Sequence, residues 1–250
     1  MIRAKSSGII AGVNIALAVF HRLDGSVELG QSIDDGDTLR PGAEIARIYG
    51  KVSTILRGER TALNFLQRMS GIATATNEYV EAVKGFPAQI VDTRKTVPGL
   101  RYLDKYAVRA GGGKNHRMDL SDGVLIKDNH IELLRHRGVG LLQALERAIG
   151  EAPHTLKVEV EINNLEQLGL GGGVDLELAH RDKRIAARLA KRHLDDAVKR
   201  IGRVSTRLVE VGHPSRELVG VQLRRLSLGL HGRMRGNVVA RLGSILAIWD

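Results

Sequence analysis

The spacing of apolar residues changes once along the chain, near residue 87. Before that point it predicts a series of strands and helical stretches: a strand at Ile2–Ser6, a helix at Gly12–Leu23, strands at Ser26–Ile33 and Glu44–Ile48, and a helical region at Thr54–Lys84. The last region is long enough for two helices, and we expect the break between them near Ser70-Gly71. Residues 1–86 are therefore predicted to form one unit.

From Ala88 onwards, short apolar runs alternate with helical patterns. They predict strands at Ala88–Asp92, Gly123–Lys127 and Leu156–Ile162, a helix from Pro98 to about Arg109, and a helix at Gly140–Ile149. Such alternation favours a parallel α/β sheet or barrel. Active groups of barrels lie at the carboxyl ends of the strands, and four charged residues fall there: Arg94, Lys95, Lys127 and Glu161. The glycines at 111–113 are expected to end a helix and to leave room for a ligand.

Composition excludes several classes of protein. The 250 residues, 43% of them apolar, suffice for one large domain or two modest ones. Without cysteine the chain has neither disulfides nor thiolate metal sites, and it has no apolar run of 18 residues that would span a membrane. Because its first residues lack a signal-peptide pattern, we expect a cytoplasmic enzyme.

The net charge of +10 belongs to one part of the chain. Residues 1–180 contain 22 Lys+Arg and 22 Asp+Glu, whereas residues 181–250 contain 16 and 6. A basic tail can bind nucleic acid through its phosphates. This one has no Phe, Tyr or Trp before Trp249 and no recognised motif, so we predict no nucleic-acid partner.

Three sequence motifs carry most of the functional information. They are Asp92-Thr-Arg-Lys-Thr-Val-Pro-Gly99, Gly111-Gly-Gly-Lys-Asn-His-Arg117 and Leu125-Ile-Lys-Asp-Asn-His130. Clustered cations beside glycines suit a ligand with several negative charges. From residue 1 to about residue 168 the chain closely resembles the quinolinate phosphoribosyltransferase family. The resemblance implies an α/β fold, an α+β sandwich domain (1–86) followed by an incomplete α/β barrel (87–180), in a homodimer with shared active sites.

The resemblance also implies a reaction and a role for each candidate residue. The family transfers phosphoribose from phosphoribosyl pyrophosphate to quinolinate with Mg²⁺, releasing pyrophosphate and CO₂. Quinolinate carboxylates would be held by four residues: Arg60 from the neighbouring subunit, Arg94, His116 and Arg117. Lys95 and Lys127 would face the substrate and the pyrophosphate, Glu161 the metal or ribose, and Asp182 the ribose.

Plainer interpretations of these residues stay open. Arg60 could be one more solvated charge on a helix. His116 could be a satisfied core histidine. We assign no metal to it, because a metal site would need several converging ligands. Asp92 could pair with Arg94 or Lys95. Glu159 and Glu161 share one face of a strand, which is either the barrel interior or a surface with an ordinary Glu–Lys pair, and Lys127 could be the partner of Glu161.

The last third departs from the family pattern. The Ser-Gly-Gly and Thr-His motifs with which the family binds the donor phosphate are missing. Residues 181–250 form a divergent, Arg-rich tail. We expect helices or irregular chain to replace strands beyond Val174, so that the barrel is not completed. A reading-frame slip in a GC-rich gene would explain the Arg-rich composition of the tail. At the other end, the chain begins without the family's usual first helix. A degenerate, inactive homologue and a molybdenum-locus homologue with another acceptor are the alternative functions.

Overall fold

The computed structural model describes residues 1–86, 88–162, 219–223 and 238–242. The helices are α1 (Val13–Leu23), α2 (Val52–Ala82), α3 (Arg101–Ala110), α4 (Asp128–His136) and α5 (Leu141–Glu151). The strands are β1 (Ile2–Arg3), β2 (Gly8–Ile9), β3 (Glu28–Gln31), β4 (Thr38–Leu39), β5 (Glu44–Tyr49), β6 (Ala88–Asp92), β7 (Val124–Ile126), β8 (Val158–Ile162), β9 (Val219–Leu223) and β10 (Val238–Leu242). None of the helices in these ranges is long and apolar enough to cross a bilayer.

These elements fall into two compact units. Among the described segments, 1–84 and 89–116 belong to the first unit, and 117–162 with β10 to the second. Helix α3 joins the first unit because it packs along α2, and residues 89–92 of β6 belong to the same unit. The domain boundary near residue 86 that the sequence suggests stays a prediction.

The first half of the first unit is a small sandwich of sheet and helix. Strand β5 lies between β1 and β3, antiparallel to both, and β2 pairs with β4. One apolar cluster joins α1, β5 and the first half of α2. The helices approach closely where Phe20 covers Gly58, since a Cβ on Gly58 would lie 2.8 Å from the Phe20 ring. The predicted elements before residue 50 are thereby confirmed, with ends within a few residues.

Helix α2 is a single helix of 31 residues, so the predicted break near Ser70-Gly71 is wrong. Ser70, at the predicted break, and Thr74, one turn later, face β2 and the residues that follow it. The Ser70 hydroxyl accepts a hydrogen bond from Ala11 N at 3.1 Å, and the Thr74 hydroxyl accepts one from Ile9 N at 2.9 Å. Because tertiary partners satisfy these side chains, they do not compete with the helical hydrogen bonds.

The three glycines after α3 are packed against the second half of α2. Gly111 caps α3 as predicted, but a Cβ on it would lie 2.2 Å from the carbonyl oxygen of Ala73. A Cβ on Gly113 would lie 2.8 Å from Thr76. The space that the missing side chains leave at Gly111 and Gly113 is therefore taken up by α2, which corrects the expectation that it accommodates a ligand.

The second unit contains a parallel sheet. Strand β8 lies between β7 and β10 and runs parallel to both, with Val160 opposite Ile126 and Ala240. Helix α5 covers one face through Leu145, which packs with Ile126, Val158 and Val160. This confirms the predicted parallel arrangement. The apolar pattern missed α4, a helix without buried residues whose first turn begins inside the motif at 125–130.

Two stretches of the basic tail are strands. Strands β9 and β10 both lie beyond Val174, and β10 extends the parallel sheet in register with the whole of β8. The prediction that helix or irregular chain replaces strands in the tail is therefore wrong at these two stretches. The remainder of that prediction falls outside the described residues.

Candidate active site

Strand β6 delivers the first pair of candidate cations. The strand ends at Asp92, and a tight turn follows, in which Lys95 N donates to Thr93 Oγ1 at 3.1 Å and Thr96 N to the Arg94 carbonyl at 3.0 Å. Adjacent residues on an extended strand point in opposite directions. Because the strand has ended before Arg94, that constraint is lifted from Arg94 and Lys95, as the approaching Pro98 predicted.

These two cations differ in their surroundings. Lys95 is exposed, whereas Arg94 is half-buried. The Nε atom of Arg94 is fully buried and has no hydrogen-bond acceptor among the described residues. A buried donor without an acceptor is costly, and the bidentate fork of a guanidinium matches a carboxylate. Arg94 therefore has the properties of a carboxylate-binding residue.

The loop carrying His116 is tied to the same strand. Asp92 N donates to the Lys114 carbonyl at 3.0 Å, and Lys114 N donates to the Ile90 carbonyl at 2.9 Å, which makes an isolated parallel bridge between Val91 and Lys114. The backbone at Lys114 therefore lies alongside the end of β6 and runs parallel to it. His116 is thereby brought to the carboxyl end of β6, which Arg94 and Lys95 directly follow in the chain.

A buried ion pair lies beneath this loop. The side chains of Asp92 and Lys105 are at most 1% exposed, and the Lys105 ammonium donates a hydrogen bond to Asp92 Oδ1. Asp92 also accepts from His116 N at 2.7 Å and from Asn115 Nδ2 at 2.9 Å. Burial raises the pKa of Asp92, and the hydrogen bonds from Lys105 and His116 N oppose that rise. A pair between Asp92 and Arg94 or Lys95 was left open by the sequence, and the buried partner of Asp92 is instead Lys105 from α3.

The preceding residue of α3 makes a second buried pair. Asp104 is inaccessible, and Arg68 of α2 binds it in a bidentate manner at 2.9 and 2.8 Å. Asp104 Oδ2 also accepts from Val97 N at 3.3 Å, in the loop that follows Arg94 and Lys95. Arg68, Asp104 and Lys105 were not among the residues predicted from the sequence. One available signal was that Lys105 lies three residues before Val108, on the apolar side of α3.

The second unit carries three other candidates. Arg117 is half-buried, and its Nη1 donates to the Gly123 carbonyl at 2.9 Å. Lys127 directly follows β7 and is exposed; its backbone N donates to His130 Nδ1 at 3.1 Å, at the start of α4. Glu159 is 5% exposed and, by strand alternation, lies on the face of β8 opposite Val158 and Val160. Its burial rules out the surface alternative for this residue.

Some of the sequence hypotheses stay untested. Glu161 belongs to β8, but its side chain and the whole of Asp182 lie outside the described residues. So does the suggested pairing of Lys127 with Glu161. Within the described ranges, no three His, Asp or Glu side chains converge as metal ligands would.

Arg60 lies in the first third of α2 and is exposed. Two large apolar side chains precede it at intervals of four residues on the same helix, Val52 at 71% and Leu56 at 66% exposure. Residues four apart share one face of a helix. Arg60 therefore lies on an exposed helix face that is partly apolar, unlike an ordinary solvated face.

Family models match both parts of the chain. The model for the N-terminal domain of quinolinate phosphoribosyl transferase matches residues 1–70, and the model for the C-terminal domain matches residues 72–180. The chain belongs to the quinolinate phosphoribosyl transferase family. The match to the C-terminal domain continues beyond residue 168, where the resemblance in sequence was expected to fade.

Curated relatives agree with this assignment. A probable nicotinate-nucleotide pyrophosphorylase (carboxylating) of Bacillus subtilis is 47% identical over 69% of this chain and 59% of its own length. Its counterpart in Synechocystis is 42% identical over 66% and 55%. The chain thus spans a little over half the length of these relatives.

Solved structures show the same fold. NadC from Streptococcus pyogenes matches with a TM-score of 0.64 at 42% identity, over 69% of this chain and 61% of that one. A NadC deletion mutant matches with a TM-score of 0.65 at 35% identity, over 79% and 69%. The predicted α/β fold class is confirmed.

Proposed function

We propose that the chain is a quinolinate phosphoribosyltransferase, which makes nicotinate mononucleotide for NAD biosynthesis. In this reaction the ring nitrogen of quinolinate bonds to ribose C1 of phosphoribosyl pyrophosphate, while the bond from C1 to the pyrophosphate oxygen breaks. The bond to the 2-carboxylate then breaks, and CO₂ leaves. Its electron pair stays on the ring carbon, is stabilised by the quaternised nitrogen, and takes up a proton. Preorganised cations suit such a reaction, because most of the work is positioning and charge neutralisation.

The observation that carries this proposal is the buried Nε of Arg94. It is a charged donor that lacks an acceptor among the described residues, at the carboxyl end of β6 and beside the exposed Lys95. A dicarboxylate would supply the missing acceptor. The desolvated pair would also be far stronger than one formed on the surface.

The other residues take the roles that their chemistry suggests. His116 and Arg117 join Arg94 in holding the carboxylates, and Lys95 and Lys127 neutralise the substrate and the departing pyrophosphate. Asp182 binds the donor's ribose, and Glu161 faces either that ribose or the metal.

Mg²⁺ fits as an ion that arrives with the donor. The described residues do not form a cage of ligands for it, although β8 carries the buried Glu159 and then Glu161. Mg²⁺ commonly binds through one or two carboxylates together with substrate phosphates. In that position it would neutralise charge on the pyrophosphate.

The exposed face of α2 supports a homodimer with shared sites as part of this proposal. Val52 and Leu56 leave apolar surface uncovered on the face that bears Arg60, and a second copy would cover them while Arg60 enters the partner's site. Mixing the Arg60→Ala and Lys127→Ala variants tests this arrangement. Each lesion then falls in a different composite site of the heterodimer, so one site remains intact and activity returns. If an active parent chain exchanges subunits and no activity returns, Arg60 does not act across the dimer.

The main test is turnover of quinolinate. The chain is incubated with quinolinate, phosphoribosyl pyrophosphate and Mg²⁺, and nicotinate mononucleotide and CO₂ are measured. We expect Arg94→Ala to lower kcat/KM for quinolinate by about 30-fold or more, corresponding to about 2 kcal/mol or more for a desolvated charge pair. Arg135→Ala removes the same charge from the exposed surface of α4 and should leave the rate unchanged.

Calorimetry with quinolinate alone distinguishes the alternatives. Salt-sensitive binding without turnover would identify a degenerate homologue that has kept its acceptor residues. If the chain neither binds quinolinate nor turns it over, the proposal is contradicted and a homologue with another acceptor is favoured. Equal affinity in the parent and Arg94→Ala would remove Arg94 from the acceptor site. The cytoplasmic location stays a prediction.

A further inference from the structure

The buried pair formed by Asp92 and Lys105 touches both backbone polar groups of a single residue. His116 N donates to Asp92 Oδ1 at 2.7 Å, and the His116 carbonyl accepts from Lys105 Nζ at 3.3 Å. The pair is therefore more than a charge neutralised in the interior. It fixes the orientation of both peptide groups of His116.

We infer that Asp92 and Lys105 are positioning residues, which set the place of the His116 side chain at the end of β6 through its backbone. The inference rests on the proposed function, in which His116 contacts quinolinate. Neither Asp92 nor Lys105 can touch a substrate directly, because both are almost completely buried.

The energetics favour this role over a purely structural one. Replacing a buried ion pair by apolar residues of similar size is often neutral or stabilising, so packing alone does not require these charges. An apolar pair at these positions would leave the His116 N–H and carbonyl without the partners they have here. Charged partners also make shorter and stronger hydrogen bonds than neutral ones. The pair thus provides an orientation of the loop that an apolar interior would not.

Neighbouring contacts limit what else the pair could be doing. The loop is already joined to β6 through the backbone of Lys114, and Asn115 Nδ2 donates to the Lys105 carbonyl at 3.2 Å as well as to Asp92. The backbone bonds of Lys114 hold the loop up to that residue without the pair, whereas the contact between Asn115 and Asp92 belongs to the pair. The pair therefore adds the anchoring of His116 itself.

The test replaces the pair without leaving a lone buried charge. In the double variant Asp92→Leu with Lys105→Met, apolar side chains fill the interior, so the chain is expected to fold. Met69→Ala is the matched control, since it creates a cavity in the neighbouring core of α2 and α3 without removing a partner of His116. Single variants at Asp92 or Lys105 are unsuitable, because they leave an unpaired buried charge.

Two readouts separate positioning from general destabilisation. In the double variant, KM for quinolinate should rise on the order of 10-fold to 100-fold, as small displacements of a binding group do, while KM for phosphoribosyl pyrophosphate stays within about twofold. Hydrogen exchange at the His116 amide should accelerate, whereas amides in the middle of α2 keep their protection. Met69→Ala should change neither KM nor the relative protection of His116.

Contrary results are equally definite. Equal changes in both KM values, or the same pattern in Met69→Ala, would show that the pair serves stability alone and would overturn the inference. If the parent chain does not bind quinolinate, the proposed function fails by itself. The positioning role is then decided by the His116 amide, and unchanged protection in the double variant would overturn it.

Discussion

Helix α3 in the first unit and the helices α4 and α5 in the second use the same kinds of charged residues in opposite ways. On α3 the adjacent Asp104 and Lys105 are buried, and each binds a partner from another element. On α4 and α5 the ion pairs Glu132–Arg135 and Arg147–Glu151 join residues of one helix, and more than half of each side chain is exposed.

The difference shows how far a charge pair determines structure. A solvated pair gains little, because water already stabilises both ions and salt screens their attraction. A desolvated pair cannot be separated cheaply, so its partners fix the position of one element against another. In this chain the buried pairs of α3 also reach the backbone of the two loops that carry the candidate acceptor residues, at Val97 and His116.

Removing a buried acid from α3 should have the largest effect on stability. Asp104→Ala leaves Arg68 without its partner, and we expect the free energy of unfolding to fall by about 3 kcal/mol. The partial exposure of Arg68 places this at the lower end of the range for buried pairs. Urea unfolding followed by circular dichroism measures it. Glu132→Ala on α4 is the control and should change stability by no more than about 0.5 kcal/mol. Similar losses in both variants would remove the contrast between the two regions.

The same contrast should hold for apolar side chains. Val108 on α3 is completely buried, whereas Leu133 on α4 is 57% exposed. Val108→Ala should cost roughly 2 kcal/mol from lost burial and the remaining cavity. Leu133→Ala should be nearly neutral in the same urea experiment. A large loss from Leu133→Ala would mean that α4 is covered in solution, for example by a partner.

The exposed side of α3 offers an intermediate case that depends on pH. Tyr106 donates to Asp35 Oδ2 at 2.7 Å, and this hydrogen bond raises the pKa of Tyr106 above its ordinary value. Since the folded chain favours the neutral phenol, the stabilisation is complete below about pH 10 and is lost as pH rises through the raised pKa. Tyr106→Phe should cost about 1 kcal/mol at pH 8, and the difference from the parent should shrink in alkali. A difference that does not depend on pH would exclude the hydrogen bond as its source.

The smallest effect is expected on α5. Arg147→Ala removes a solvated pair with Glu151, and the free energy of unfolding should change by no more than about 0.5 kcal/mol. Raising the salt concentration to about 1 M should abolish even that difference, because the Debye length falls to about 3 Å. A larger effect that survives high salt would indicate that α5 relies on this pair for more than surface charge.

Local sequence patterns predicted most elements and the positions of the candidate cations relative to the strands. The apolar spacing predicted α1, β5, β6 and α3 closely, because each buries a regular face or a continuous run. The position of Pro98 predicted that β6 ends before Arg94. Local pattern failed at α2, where Ser70 and Gly71 suggested a break. The helix is continuous there, and the Ser70 hydroxyl bonds instead to the backbone at Ala11.

The sequence by itself therefore determined the family, most of the elements of the first 162 residues and the placing of Arg94, Lys95 and Lys127 at strand ends. Only the tertiary structure decided that Asp92 pairs with Lys105, that Gly111 is needed where the chain passes the backbone of α2, and that Arg94 has a buried donor. The reason is physical. Periodicity and turn chemistry depend on neighbours in sequence, whereas the partner of a buried charge depends on which elements pack together and exclude water.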